Sequence, residues 1–204
     1  MPHATHPPQT PSMRVAFKEW AVIVEALGRG RQSLILRKGG IAEDAGVFRV
    51  DHPRFLLFPT QFHQHRDHVL PDAADLADAA ATQAPPPDQL RIRYAAAVVG
   101  WRLLASLGEV QALAGHHLWS PETIANRFTW GGEESIVLMA LRVFRLEPPA
   151  ELPMQPDYGG CRSWVTLEQD IDTAGALPVL DEAAHARWIA SLQDALGSPL
   201  HFLA

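Results

Sequence analysis

From Val15 the apolar residues Phe17, Trp20, Ala21, Val24 and Leu27 recur at spacings of three and four. That period predicts one face of a helix, which Gly28 and Gly30 would stop. The β-branched trio Val22, Ile23 and Val24 keeps a strand over 21–27 open as the alternative. Residues 33–36 form a compact apolar run that ends in Arg37-Lys38-Gly39-Gly40, the pattern of a strand entering a glycine turn. Strands are predicted at 47–50 and 55–58, separated by His52-Pro53, and Pro59, which has no amide donor, is expected to end the ladder.

Residues 71–90 (PDAADLADAAATQAPPPDQL) hold no aromatic side chain and carry three consecutive prolines, so a mobile insertion or loop with room for a helical turn is expected. Beyond it, 90–104 reads as a strand running into the core. Ser120 and Pro121 have the cap and first-turn positions of a helix that reaches about Trp130 and stops at Gly131-Gly132. The run SIVLMALRVFRL at 135–146 is the strongest strand pattern and ends against Pro148-Pro149. A terminal amphipathic helix is predicted over 181–196, capped by Asp181 and closed by Gly197.

Composition adds bounds. At 204 residues, 47% of them hydrophobic, the chain can bury one good core and is short for two, so one domain over 13–167 is expected, with a C-terminal extension at 168–204. Residues 1–12 carry four prolines and almost nothing apolar to offset the entropy of ordering, which predicts a disordered tail and makes Met13 a second candidate start. No stretch approaches the roughly 18 apolar residues that span a bilayer, so no membrane is expected and the cytoplasm is the default location. The single cysteine, Cys161, suits a reducing compartment.

The formal net charge of −6 argues against a protein that coats nucleic acid with its whole surface. Yet residues 13–66 hold nine basic groups against five acidic, while 166–204 hold one against six. A local anion site in the first third is therefore open.

Several blocks carry a family likeness: Lys18-Glu19-Trp20; Leu36-Arg37-Lys38-Gly39-Gly40-Ile41; Leu57-Phe58-Pro59-Thr60 with His63-Gln64; Leu141-Arg142-Val143-Phe144-Arg145-Leu146; and Tyr158-Gly159-Gly160-Cys161-Arg162-Ser163-Trp164. In this order they resemble the bacterial domain of unknown function 1802, over about 13–167, a family that implies no activity. The order of elements also resembles the PUA-like superfamily with its ASCH and EVE modules. That likeness implies an α+β fold on a mixed, barrel-like sheet with flanking helices, and binding of RNA or modified bases.

Residue chemistry offers four candidate constellations. The turn Arg37, Lys38, Gly39, Gly40 exposes backbone amides beside two cations and could seat a phosphate or carboxylate, although the Lys-Ser/Thr ending of a P-loop is missing. His63 and Gln64 follow a strand end, where an imidazole can donate to phosphate or act as acid or base. The run His63-Gln64-His65-Arg66-Asp67-His68 matches the HxHxDH pattern of zinc hydrolases. The usual following Gly-Gly is replaced by Val69-Leu70, so His63, His65, Asp67 and His68 stand only as an alternative metal set and no cofactor is expected. Cys161 lies beside aromatic residues but needs a base that sequence does not place.

The expected function is binding of RNA, DNA or a nucleotide-like anion, with Arg37, Lys38, Gly39, Gly40, Arg54, His63 and Gln64 facing one cleft. Trp164 or Trp20 would supply a stacking surface. The competing class is an enzyme, either a metal-independent phosphodiesterase using His63 and Lys38 or the zinc hydrolase. The anion reading requires that the positive turn after the strand at 33–36 and the His63 imidazole after the strand at 55–58 open into one pocket.

Overall fold

A computed structural model describes residues 12–37, 50–61, 65–132, 134–160 and 162–203. Its frame is a mixed eight-stranded sheet with helices packed against it, the α+β class expected. The main strands are β1 (Ser12–Trp20), β2 (Leu34–Arg37), β3 (Arg54–Thr60), β4 (Gln89–Leu104), β5 (Ile136–Pro153) and β6 (Trp164–Asp172). They lie in the order β2-β5-β4-β3-β1-β6, and β1 and β3 run parallel while the other neighbours are antiparallel. Two short strands complete the sheet: β7 (Leu177–Pro178) on β5 and β8 (His201–Phe202) on β4.

The predicted helix over 15–27 is corrected. Residues up to Trp20 form β1, and the helix α1 (Ala21–Gly28) begins only afterwards. The reason is burial on both faces: Phe17 joins one core cluster and its neighbour Ala16 joins the other, so β1 lacks simple alternation. A strand filled on both sides, running straight into a helix, imitates a helical period. Within α1 the β-branched trio is helical all the same, because Ala21 to Leu27 are all buried and packing outweighs propensity.

The strand β3 shows the same two-faced burial, with Phe55 and Leu57 on one side and Leu56 and Phe58 on the other. Pro59 does not end its ladder. It lies past the last rung with β4, Leu56 opposite Ala95, and pairs only with Glu19 of β1. Likewise β5 passes through Pro148-Pro149. Its register with β4 jumps from Arg145 opposite Tyr94 to Ala150 opposite Ile92, and this bulge takes up the prolines.

Segment 71–90 holds more structure than a helical turn. A 3-10 turn (Pro71–Ala73) leads into α2 (Ala74–Thr82), which packs on α1 and buries Leu76 and Ala80. Of the strand expected at 47–50, only Val50 is among the described residues, outside regular structure. Between β4 and β5 stand α3 (Leu107–Gln111) and α4 (Pro121–Thr129). Ser120 caps α4 by accepting from the Thr123 N–H, so Ser120→Ala should lower stability by about 1 kcal/mol in urea titrations. The last helix, α5 (Glu182–Leu196), is capped by Asp181 and closed by Gly197 with φ of 62°. No helix among the described residues is long and apolar enough to cross a membrane.

Candidate functional site

At the end of β1 the chain must bring a charged pair, Lys18 and Glu19, through a sheet buried on both faces. The Lys18 ammonium resolves this by donating to the carbonyls of Tyr158 and Gly160, each at 2.8 Å. Glu19 stays buried, 6% exposed, with a carboxylate oxygen accepting from the Trp20 N–H at 2.8 Å. Burial pushes the Glu19 carboxyl up from its ordinary value, and Arg127, the Trp20 amide and Arg37 pull it partly back.

Both guanidiniums belong to aromatic nests. Arg37, at the end of β2, lies 4.8 Å from the Phe17 ring and 5.6 Å from Trp164. Arg127, on α4, lies 4.6 Å from Trp20 and 4.8 Å from Trp119, and donates to the Leu36 carbonyl. Burial lowers Arg37 to about 10 against the attraction of Glu19, and lowers Arg127 in the same way. Both remain cationic at neutral pH.

These groups line one cleft of about 350 Å³. Its described walls carry four cations, Lys18, Arg37, Arg127 and Arg162, against a single carboxylate, Glu19. Trp130 stands at its edge, 74% exposed. Thr60, at the end of β3, donates its hydroxyl to the Glu19 carbonyl and also lines the cleft. Lys18 and Thr60 are shared with a neighbouring hollow of about 530 Å³, walled by Phe58, Pro85, Pro86, Pro87 and Tyr158 among others.

The expected site residues separate in space. Arg37 lines the cleft, and the ends of β2 and β3 reach it through Arg37 and Thr60. Trp164 lies beneath Arg37, packed edge-on against Phe17 and Phe55, and is a support for the guanidinium, not a wall of the cleft. Arg54 is exposed at the opposite end of β3 from Thr60, roughly 20 Å away by strand rise, and does not join the group. Lys38, Gly39, Gly40, His63, Gln64 and Cys161 lie outside the described residues.

For the alternative metal set, His65 and Asp67 fall in a 3-10 turn (His65–His68). The Nδ1 atom of His68 lies 3.3 Å from the Thr123 hydroxyl, and its ring lies against Trp20. Among the described residues no three His, Cys, Asp or Glu side chains converge as metal ligands.

Sequence reasoning missed Glu19, Thr60 and Lys18 as site residues. A lone carboxylate within an apolar strand was the available signal for the first. Four separated sequence blocks, 18–20, 36–41, 57–60 and 158–164, all send described residues to this cleft or to the hollow beside it.

Among solved structures, the chain is similar to the ASCH protein of Zymomonas mobilis, at 11% identity over 76% of this chain and 87% of that one, with a TM-score of 0.44. Two mutants of the same protein match at 13% identity (76% and 90% covered) and 12% identity (87% and 94% covered), each with a TM-score of 0.44. No curated protein sequence matches the chain. The family model for the domain of unknown function DUF1802 matches residues 16–191, and the chain belongs to that family.

Proposed function

We propose that this protein binds single-stranded nucleic acid or a nucleotide-like anion in the cleft between β1, β2 and α4. The observation that carries the reading is the imbalance of charge in a partly enclosed space: four cations face one carboxylate whose ionisation burial already disfavours. Guanidiniums held over aromatic rings offer donor edges to phosphate. The exposed Trp130 ring adds a surface for stacking a base. The adjoining hollow extends the track and gives an apolar wall to the next unit of the ligand.

The test is fluorescence anisotropy with labelled 12-nucleotide RNA and DNA strands at several salt concentrations. Affinity should fall with salt, with a logarithmic slope of about −2, as expected when about three phosphates meet cations. Arg37→Gln should weaken binding about tenfold or more, because it removes a charge-assisted contact. Glu19→Gln should strengthen it several-fold, since it removes the carboxylate that repels phosphate. The opposite signs of these two changes separate an anion receptor from a site for a neutral or cationic ligand. Salt-insensitive affinity, or no binding of either strand in low salt, would sink the reading.

A further inference from the structure

The hollow of about 530 Å³ beside the basic cleft differs from it in charge, although the two share Lys18 and Thr60. Four cations and one carboxylate line the cleft, whereas Lys18 is the one charged group among the described lining residues of the hollow. The accessible walls of the hollow are apolar: Pro86, Pro87 and Pro156 are exposed, and Met154 is 37% exposed. Three carboxamides share the lining, the exposed Gln61 and Gln89 and the half-buried Gln155.

The walls are fastened to one another by the fold. The Met154 N–H, at the end of β5, donates to the Asp88 carbonyl at 2.8 Å and so holds the proline segment, and β4 begins there with Gln89 opposite Pro153. The facing wall is a 3-10 turn (Pro156–Tyr158), tied to β1 by the Lys18 ammonium on the Tyr158 carbonyl. The Tyr158 hydroxyl accepts from the Glu168 N–H of β6 at 2.9 Å, and its ring packs edge-on against Phe58. A space whose walls are held from four strands needs little ordering to receive a ligand.

A neutral carboxamide offers a donor and an acceptor together, and pairs with a ring whose edge carries both. Apolar walls with a few polar groups suit the faces of such a ring, and methionine sulfur makes favourable contact with aromatic rings. A phosphate in the hollow would lose hydration against proline and methionine for one cation. A plain hydrocarbon would strip water from the carboxamides and replace none of its hydrogen bonds. An uncharged ring with a polar edge, joined to an anion, satisfies both spaces at once.

On the reading of the cleft as a phosphate site, we propose that the hollow receives an unpaired nucleobase, read on its edge by Gln61, Gln89 and Gln155, while the adjoining phosphate lies in the cleft across the shared Lys18 and Thr60.

The test compares two labelled strands of equal charge by fluorescence anisotropy: a 12-nucleotide DNA of mixed sequence, and a 12-unit abasic strand with tetrahydrofuran in place of every nucleoside. The protein is the full chain carrying Trp130→Ala, so that the exposed indole supplies no stacking. The base-bearing strand should bind at least about fivefold more tightly, the low end for one stacked base. Both strands should weaken with salt to the same degree. Adding Gln89→Leu with Gln155→Leu should lower affinity for the base-bearing strand about fivefold, through edge hydrogen bonds lost in an apolar space. Binding of the abasic strand should stay as it was, which also reports that the fold and the cleft survive. Should that variant bind neither strand, Gln89→Ala alone decides, and an unchanged preference for bases would overturn the proposal. Equal binding of the two strands, both salt-sensitive, would overturn the base site and leave the anion cleft standing. A preference undiminished by the paired leucines would also overturn it. Failure of both strands to bind in low salt would remove the cleft reading and the base site with it.

Discussion

Gly28→Ala should cost this protein about 3 kcal/mol or more of stability, the upper range for forcing extra atoms into a filled core. Gly28 closes α1 directly against Tyr94 of β4, and a methyl group there would collide with the phenol ring at Cζ, Cε2 and the hydroxyl. The ring has no route of escape: Tyr94 is 2% exposed, its backbone is paired with Arg145, and the Arg93 guanidinium lies 5.1 Å over its face. Alanine's better helix propensity returns only about 1 kcal/mol. Urea titration of the variant gives the number, and a loss below about 1 kcal/mol would mean that α1 shifts freely. The double variant Gly28→Ala with Tyr94→Leu should recover part of the loss, because the two sites act through one contact. Since α1 begins directly after Trp20, the single variant should also weaken anion binding in the cleft.

Acid should destabilise the fold well before its carboxylates are neutralised. His117 titrates near 6.5 in an unfolded chain and at about 4 in place. Between those values the unfolded state binds the extra proton and the folded state does not, so stability falls as pH falls. The slope from this one group is about 1.4 kcal/mol per pH unit, roughly 3 kcal/mol across the window, and its contribution is fully retained above 6.5. His185, also lowered by burial, adds in the same direction. Glu19 opposes them: with its pKa raised by burial, the folded carboxyl takes up its proton at a higher pH than the unfolded one. Comparing the wild type with His117→Asn isolates the term. The difference between their unfolding free energies should change by roughly 3 kcal/mol from pH 7 to pH 4. Parallel curves would show that the imidazole is open to water.

The cleft was only partly legible because its parts are far apart along the chain. Arg37 announces itself as a cation at a strand end. Nothing local links it to Glu19 or Arg127, which reach it only when β2 and β1 join the same sheet and α4 lies beside them. Arg54 reads like Arg37 in sequence, yet it stands at the wrong end of its strand. Trp164 was recognisable as an aromatic partner of arginine, while its place beneath the guanidinium depends on the pairing of β6 with β1.

Short-range chemistry wrote the helix ends: Ser120 with Pro121, and Asp181 with Gly197, act through hydrogen bonds and backbone angles a few residues apart, so they can be read directly. The run at 135–146 also announced β5, because a long apolar stretch has few other places to go. The transition from strand to helix at Trp20, the passage of β5 through two prolines and the packing of α2 on α1 had no such local signature. Each depends on which surfaces meet, and burial on both faces of a sheet erases the periodicity by which a single chain segment declares its form.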